Sequence, residues 1–222
     1  VVLVDTSASR ATDLDAELAQ LDAVIAAMPP AARLVVGCFD QAVFVAHDGP
    51  ARDWGQAGAQ RVRDRGALGA SDLARGLTWA SGLAGARGIG RVVVLSDGVA
   101  TAGATGADAI LRAVDAGSRG ARRVDVVGFG AARDDSVLRA VSRSGAHPSA
   151  LLDAAAGAAR VVAGLGVHPT SAPVSVAGAT WVWPARLEGL VPGEERVVYA
   201  ELPAEAPLVV GTGGPTRATS AQ

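Results

Sequence analysis

Asp5, Ser7 and Ser9 set one carboxylate and two hydroxyls at alternate positions, directly after the apolar run Val1-Val2-Leu3-Val4. In a loop leaving a strand, side chains spaced this way can all turn toward one point. Alone the signal is weak, because Asx turns, Ser turns and helix N-caps use the same residues. A second piece follows Arg91-Val92-Val93-Val94-Leu95, where Ser96-Asp97-Gly98 again places a carboxylate at the end of an apolar run. A third is Leu68-Gly69-Ala70-Ser71-Asp72-Leu73, a small-residue loop entering a helix. Ser71 there serves either as the helix N-cap, with Asp72 favouring the dipole, or as a hydroxyl donor to a cation.

These pieces need elements to position them. The runs Val1–Val4, Leu34–Phe39, Val43–Ala46, Val92–Leu95, Val124–Phe129 and Ala150–Leu152 are Val-rich and mostly non-alternating, as strands buried on both faces of a mainly parallel sheet would be. Helical patterns fill the gaps over about 13–28, 52–64, 72–86, 107–119, 135–144 and 154–164. Leu14, Leu18, Leu21, Ile25 and Met28 form the apolar stripe of the first, which Pro29-Pro30 ends. Asp40-Gln41 is too short for a crossover, so the strands on either side form a hairpin with one antiparallel strand. The rest reads as an α/β doubly wound fold. In such a sheet the strands carrying Asp5 and Asp97 are neighbours, and ligands bind in the crevice beyond their C-terminal ends. Two carboxylates facing each other there repel unless a cation lies between them.

After Gly166 the helical patterns stop. Val174–Val176, Thr180–Trp183, Arg196–Leu202 and Leu208–Val210 are strand-like, with turns such as Val191-Pro192-Gly193-Glu194 between them. The expected division is a first domain at 1–165, a β-rich accessory segment at 166–212, and a linker or disordered tail at 213–222. Trp181 and Trp183 project to one face of a strand, where packing against Val198 or Leu202 is favoured over a shelf for sugar.

Composition narrows the function. A net charge of −2 gives no field to draw the chain to nucleic acid or anionic membrane. All 20 basic residues are arginine, which points to a GC-rich, bacterial genome. No apolar stretch approaches the roughly 18 residues needed to span a bilayer. The single Cys38 lies in an apolar run and reads as a buried strand thiol. The chain opens inside a strand, without an initiator Met, and is expected to be a piece of a longer protein. Arg61, Arg63 and Arg65 read as a solvated helix end, and Asp134-Asp135 as a helix start.

Asp5-Thr6-Ser7-Ala8-Ser9, Gly69-Ala70-Ser71-Asp72 and Ser96-Asp97-Gly98 together resemble the three loops of the metal-ion-dependent adhesion site of von Willebrand factor type A domains. Their order and spacing match, as does Asp125-Val126-Val127-Gly128-Phe129-Gly130 in a later strand. The resemblance covers about residues 1–165 and implies one divalent cation held by Asp5, Ser7, Ser9, Ser71 and Asp97, some of the contacts running through water. It also implies adhesion rather than catalysis, and a surface-exposed or secreted placement. Three residues depart from the family pattern. Ala8 replaces Gly, Ser71 replaces Thr, and Arg10 stands where many relatives have Met. A guanidinium there either weakens metal binding or helps hold an anionic ligand. Thr180–Glu194 resembles the stretch that follows the A domain in inter-alpha-trypsin inhibitor heavy-chain-like proteins, including bacterial ones, which implies a β domain upstream of Val1.

Oxygen-only donors suit Mg²⁺, with Mn²⁺ or Ca²⁺ as substitutes, whereas His47, His147, His168 and Cys38 lack zinc-ligand spacing. An open coordination position would accept a Glu or Asp carboxylate from a partner protein. Two other functions are weighed against this. A scaffold with a vestigial site is one. A Mg-dependent phosphatase is the other, disfavoured because Ser7 stands where its general-acid Asp belongs and the chain has no lysine.

Overall fold

The Val-rich runs expected as strands form one six-stranded sheet in a computed structural model that describes residues 1–117, 121–192, 196–203 and 210–211. The strands are β1 (Val2–Asp5), β2 (Arg33–Phe39), β3 (Val43–Pro50), β4 (Arg91–Ser96), β5 (Arg123–Gly128) and β6 (Leu151–Asp153). Their order across the sheet is β3-β2-β1-β4-β5-β6. All neighbours are parallel except β2 and β3, the hairpin foreseen from the short Asp40-Gln41 link. The fold class expected from the sequence is the one observed.

Between the strands run α1 (Leu14–Ala26), α2 (Gly55–Arg65), α3 (Leu73–Ala86), α4 (Ala107–Gly117), α5 (Asp135–Ser142) and α6 (Ala158–Gly166). The expected helix at 154–164 starts later, because Ala154–Ala156 forms a separate 3-10 turn closed by Gly157. Residues 118–119 of the expected fourth helix lie outside the described residues.

Successive strand side chains point to opposite faces, and here both faces are covered. Val2, Val4, Val36, Cys38, Val93 and Leu95 meet Leu18, Leu21 and Ile25 of α1, Val62 of α2 and Val161 of α6. Leu3, Phe39, Val92, Val94, Val124 and Val126 meet Leu73 and Leu77 of α3, Ile110 of α4 and Leu138 of α5. That is why the runs read as continuous apolar stretches. Each fully buried Val or Leu contributes about 1.5–3 kcal/mol, an upper estimate since the unfolded chain already hides some surface. Polarity returns where β1 and β4 emerge from between the helix layers, at Asp5 and at Ser96-Asp97.

The chain divides into two units, Val1–Val167 and His168–Gln222. The second contains β7 (Thr170–Pro173), β8 (Ser175–Val176), β9 (Trp181–Trp183), β10 (Arg186–Leu190), β11 (Tyr199–Glu201) and β12 (Val210–Gly211). They pair as three antiparallel couples, β7 with β10, β8 with β12 and β9 with β11. Strands β7 and β10, which pair with each other, lie outside the expected runs; the register shift between Leu187 and Leu190 breaks the two-residue period of β10. The packing expected for the tryptophans is corrected as well. Trp181 and Trp183 are exposed, and their cross-strand partners are Glu201 and Tyr199. Alternation along β11 sends Val198 and Leu202 to the other face, so neither can cover an indole. Of the remaining expectations, Gly193-Glu194 of the turn, Leu208 and Val209 of the last strand, and the tail at 213–222 lie outside the described residues.

Among the described residues no helix is long and apolar enough to cross a membrane.

Candidate metal centre

Val4 pairs with Leu95 across the central strands, so the residues that follow, Asp5 and Ser96-Asp97, emerge side by side. Asp5 is the last residue of β1 and lies between β2 and β4, which leaves it fully buried. Its Oδ2 accepts from Ser96 Oγ at 2.7 Å and from Ser71 Oγ at 3.4 Å. Its Oδ1 accepts from the Ser7 amide at 3.0 Å. All these donors are neutral. Burial raises the Asp5 carboxyl above its ordinary range, the Ser96 and Ser7 hydrogen bonds oppose that, and the nearby Asp97 charge adds to it.

The first loop turns back through a 3-10 turn over Ala8–Arg10. Ser7 and Ser9 hydroxyls stand 3.1 Å apart, and Ser9 donates to Asp97 Oδ2 at 2.8 Å. Asp5, Ser7, Ser71 and Asp97 are buried while Ser9 is exposed, so the cluster opens to solvent at Ser9. The second loop is laced to the first by backbone bonds from Ala8 to Gly69 and from Leu68 to Thr6. Gly69 takes a positive φ of 77° there, which suits glycine.

The alternative roles of Ser71 are separated. Asp72 is the N-cap of α3, accepting from the Arg75 amide at 3.1 Å, and Ser71 instead points its hydroxyl at Asp5. The Ser71 amide donates to Thr101 Oγ1 at 2.8 Å, and its carbonyl accepts from the amides of Thr101 and Ala102. The third loop is held by Asp97 Oδ1, which accepts from the Val99 amide, and by the Asp97 carbonyl, which accepts from Asp134. Asp134 itself caps α5 as expected.

All five residues expected as ligands thus converge in one hydrogen-bonded cluster. Sequence reasoning missed three supporting residues. Ser96 was seen only as part of a turn, yet it bridges Asp5 and the Gly98 amide. Thr101 has no local pattern that marks it. Glu17 had a visible signal, since it follows Leu14 by three and precedes Leu21 by four, putting a charge on the apolar stripe. It is completely buried.

Arg10 is the other surprise, a guanidinium only 1% exposed. Its Nε donates to Glu17 Oε2 at 3.1 Å, Nη1 lies 3.6 Å from Asp97 Oδ2, and Nη2 lies 3.5 Å from Asp13 Oδ2. It also stands over the Phe129 ring at 5.5 Å. Burial pushes the Glu17 carboxyl well above the usual range, against the pull of Arg10.

Of the expected helix-end arginines, Arg65 pairs with Asp40, Arg61 donates to the Ala46 carbonyl and Arg63 pairs with Asp15. Arg61 and Arg63 are exposed, as expected of a solvated helix end, and Arg65 is half-buried.

Among the described residues no group of three or more His, Cys, Asp or Glu is gathered to hold a metal. The donor set on offer is two carboxylates with serine hydroxyls, all hard oxygen. A buried carboxylate with neutral donors around it is a place a cation fits, because the cation supplies the counter-charge that these donors do not.

Solved structures with the same architecture include a von Willebrand factor type A protein from Catenulispora acidiphila, with TM-score 0.59 and 19% identity over 90% of this chain and 53% of that one. The ArnB paralog VWA2 from Sulfolobus acidocaldarius gives TM-score 0.53 and 11% identity, covering 84% of this chain and 52% of that one. This is a von Willebrand factor type A fold. A manganese-loaded Plasmodium vivax TRAP protein shares that A fold at TM-score 0.52 and 15% identity, covering 93% of each chain. The chain spans about half the length of the Catenulispora and Sulfolobus proteins. No protein-family model and no curated protein matches the sequence.

Proposed function

We propose that this chain is a metal-ion-dependent protein-binding module, an adhesion module without enzymatic activity. Asp5, Ser7, Ser9, Ser71 and Asp97 would hold one divalent cation, Mg²⁺ by the hardness of the donors, with Mn²⁺ or Ca²⁺ as substitutes. The observation that carries this reading is Asp5, buried and, among the described residues, hydrogen-bonded only to neutral donors. A bound cation would supply positive charge at the mouth of the cluster and an exchangeable position for a Glu or Asp carboxylate of a partner. The chain's own residues do the rest. Asp5 and Asp97 provide charge, Ser7, Ser9 and Ser71 provide neutral oxygens, and Ser96 fixes the rotamer of Asp5. The manganese of the Plasmodium protein, on the same fold, supports a divalent cation.

The likeness of Thr180–Glu194 to inter-alpha-trypsin inhibitor heavy-chain-like proteins supports an upstream β domain in the parent chain, and the likeness of the three loops to adhesion relatives supports a surface-exposed or secreted placement. A scaffold with a vestigial site is the second reading, and the observation favouring it is Arg10, which already brings a positive charge to Asp97.

Calorimetric titration of Mg²⁺ and Mn²⁺ into chelator-treated protein tests the proposal. One saturable site and a raised melting temperature are expected, because only the folded chain assembles the three loops. Absence of both saturable heat and any thermal shift would leave the vestigial reading standing.

A further inference from the structure

We propose that Arg10 is an internal counter-cation for Asp97 that Glu17 draws away when a divalent cation is taken up, so that this pair sets the cation affinity. The inference rests on the metal reading above. Arg10 is too deeply buried for its guanidinium to meet an external ligand, so holding an anionic partner is not its role.

The side chain spans three carboxylates unequally. It makes a hydrogen bond to Glu17 at 3.1 Å but only ion-pair approaches to Asp97 at 3.6 Å and Asp13 at 3.5 Å. Arg10 Nη2 and Glu17 Oε1 are both buried, and among the described residues neither has a hydrogen-bond partner. One orphan is a donor and the other an acceptor, on two side chains already joined by their other atoms. A guanidinium and a carboxylate normally meet through two parallel bonds, so this pair is half made. Asp97 at Nη1 and Asp13 at Nη2 pull the guanidinium away from that arrangement, and Asp97 Oδ2 also accepts from Ser9.

A divalent cation beside Asp97 cancels that residue's pull and repels the guanidinium. Moving toward Glu17 then satisfies both orphaned atoms. Cation binding therefore competes with Arg10 for Asp97, and Glu17 lowers the cost of displacing it. Since all three groups sit in a low-dielectric interior, the coupling is large compared with that of surface charges.

The test is Mn²⁺ titration by calorimetry on the whole chain, with thermal melts in chelator for each variant. Arg10→Met with Glu17→Leu removes the pair without leaving a buried charge, Met being unbranched and suited to the space against Phe129. This double variant should bind Mn²⁺ about tenfold more tightly than wild type, as expected for loss of one close competing charge. Glu17→Gln should bind it about tenfold less tightly, because the guanidinium then has no other carboxylate as well buried to move to. Opposite shifts from the two substitutions support the proposal. If both variants change stability in chelator but keep wild-type Mn²⁺ affinity, the pair is only structural and the proposal is overturned while the metal site stands. If wild type itself takes up no Mn²⁺ and behaves as Asp5→Ala does, the metal reading fails and this inference falls with it.

Discussion

The Ser9 hydroxyl donates to Asp97 Oδ2 over 2.8 Å, tying the loop after β1 to the loop after β4 across 88 residues of sequence. Ser9 is the exposed member of the cluster and Asp97 a buried one, so this bond lies at the solvent-facing edge. The fold itself thus brings the ligands proposed for a cation together from remote loops.

Charge ranks these ligands. Asp5→Ala removes a buried charge and should weaken Mg²⁺ binding by about a hundredfold or more. Ser71→Ala removes a neutral hydroxyl that water can replace and should cost about three- to tenfold. Equal affinities of the two variants in calorimetry would mean the ligands are misassigned.

Gly98 follows Asp97 with φ at 76°, and a Cβ there would meet Leu138 at 2.8 Å and the Asp134 carbonyl at 2.9 Å. Gly98→Ala should destabilise the fold by about 1–3 kcal/mol, since positive φ and a backbone clash add. It should also weaken cation binding by displacing Asp97. Denaturant unfolding and metal titration of the same variant read both effects.

Asp125 is the buried pin at the far side of β5. It accepts from Arg91 Nε at 2.6 Å, Arg123 Nε at 2.9 Å and the Ala150 amide at 2.7 Å, joining β4, β5 and the start of β6. Asp125→Ala should cost about 3–5 kcal/mol by stranding these partners. Metal affinity of the surviving folded fraction should be unchanged, because the pin is remote from the cluster. A stability loss below 1 kcal/mol in urea unfolding would contradict the role.

Cys38 gives a pH prediction. Burial pushes its thiol from the ordinary 9.0 up to about 12, helped by the Glu17 charge. The folded state thus holds the proton more tightly than the unfolded one. Its contribution to stability is intact below about pH 9 and is lost as pH rises toward 12. At pH 8 a thiol reagent should label native protein slowly and denatured protein fully. Rapid labelling of the native form would show that the strand thiol is accessible.

Much of this was legible in the residues themselves. Buried parallel strands need apolar side chains on both faces, so Val92–Leu95 and Val124–Phe129 announce their element without ambiguity. The hairpin at Asp40-Gln41 follows from chain length, because two residues cannot make a parallel crossover. The acceptor-rich loops at Asp5–Ser9 and Ser96–Gly98 stand out because polar residues interrupt such runs at their C-terminal ends.

Other features needed the folded chain. A local pattern cannot say which of two neighbours, Ser71 or Asp72, caps α3, since that depends on where Asp5 lies across the sheet. The exposure of Trp181 and Trp183 depends on strand register, which sets Glu201 and Tyr199 opposite them and turns Val198 and Leu202 away. Glu17 lies on the apolar stripe of α1 and Arg10 beside the first loop, but that the two meet and are closed off from water follows only from the packing of α1 against β1 and β2. Sequence alone determined the strands and most helix bounds of the first unit, and the loop chemistry, because these follow from periodicity and residue type. Tertiary structure decided which polar groups face one another and which are left without a partner, because burial and distance arise only when remote segments meet.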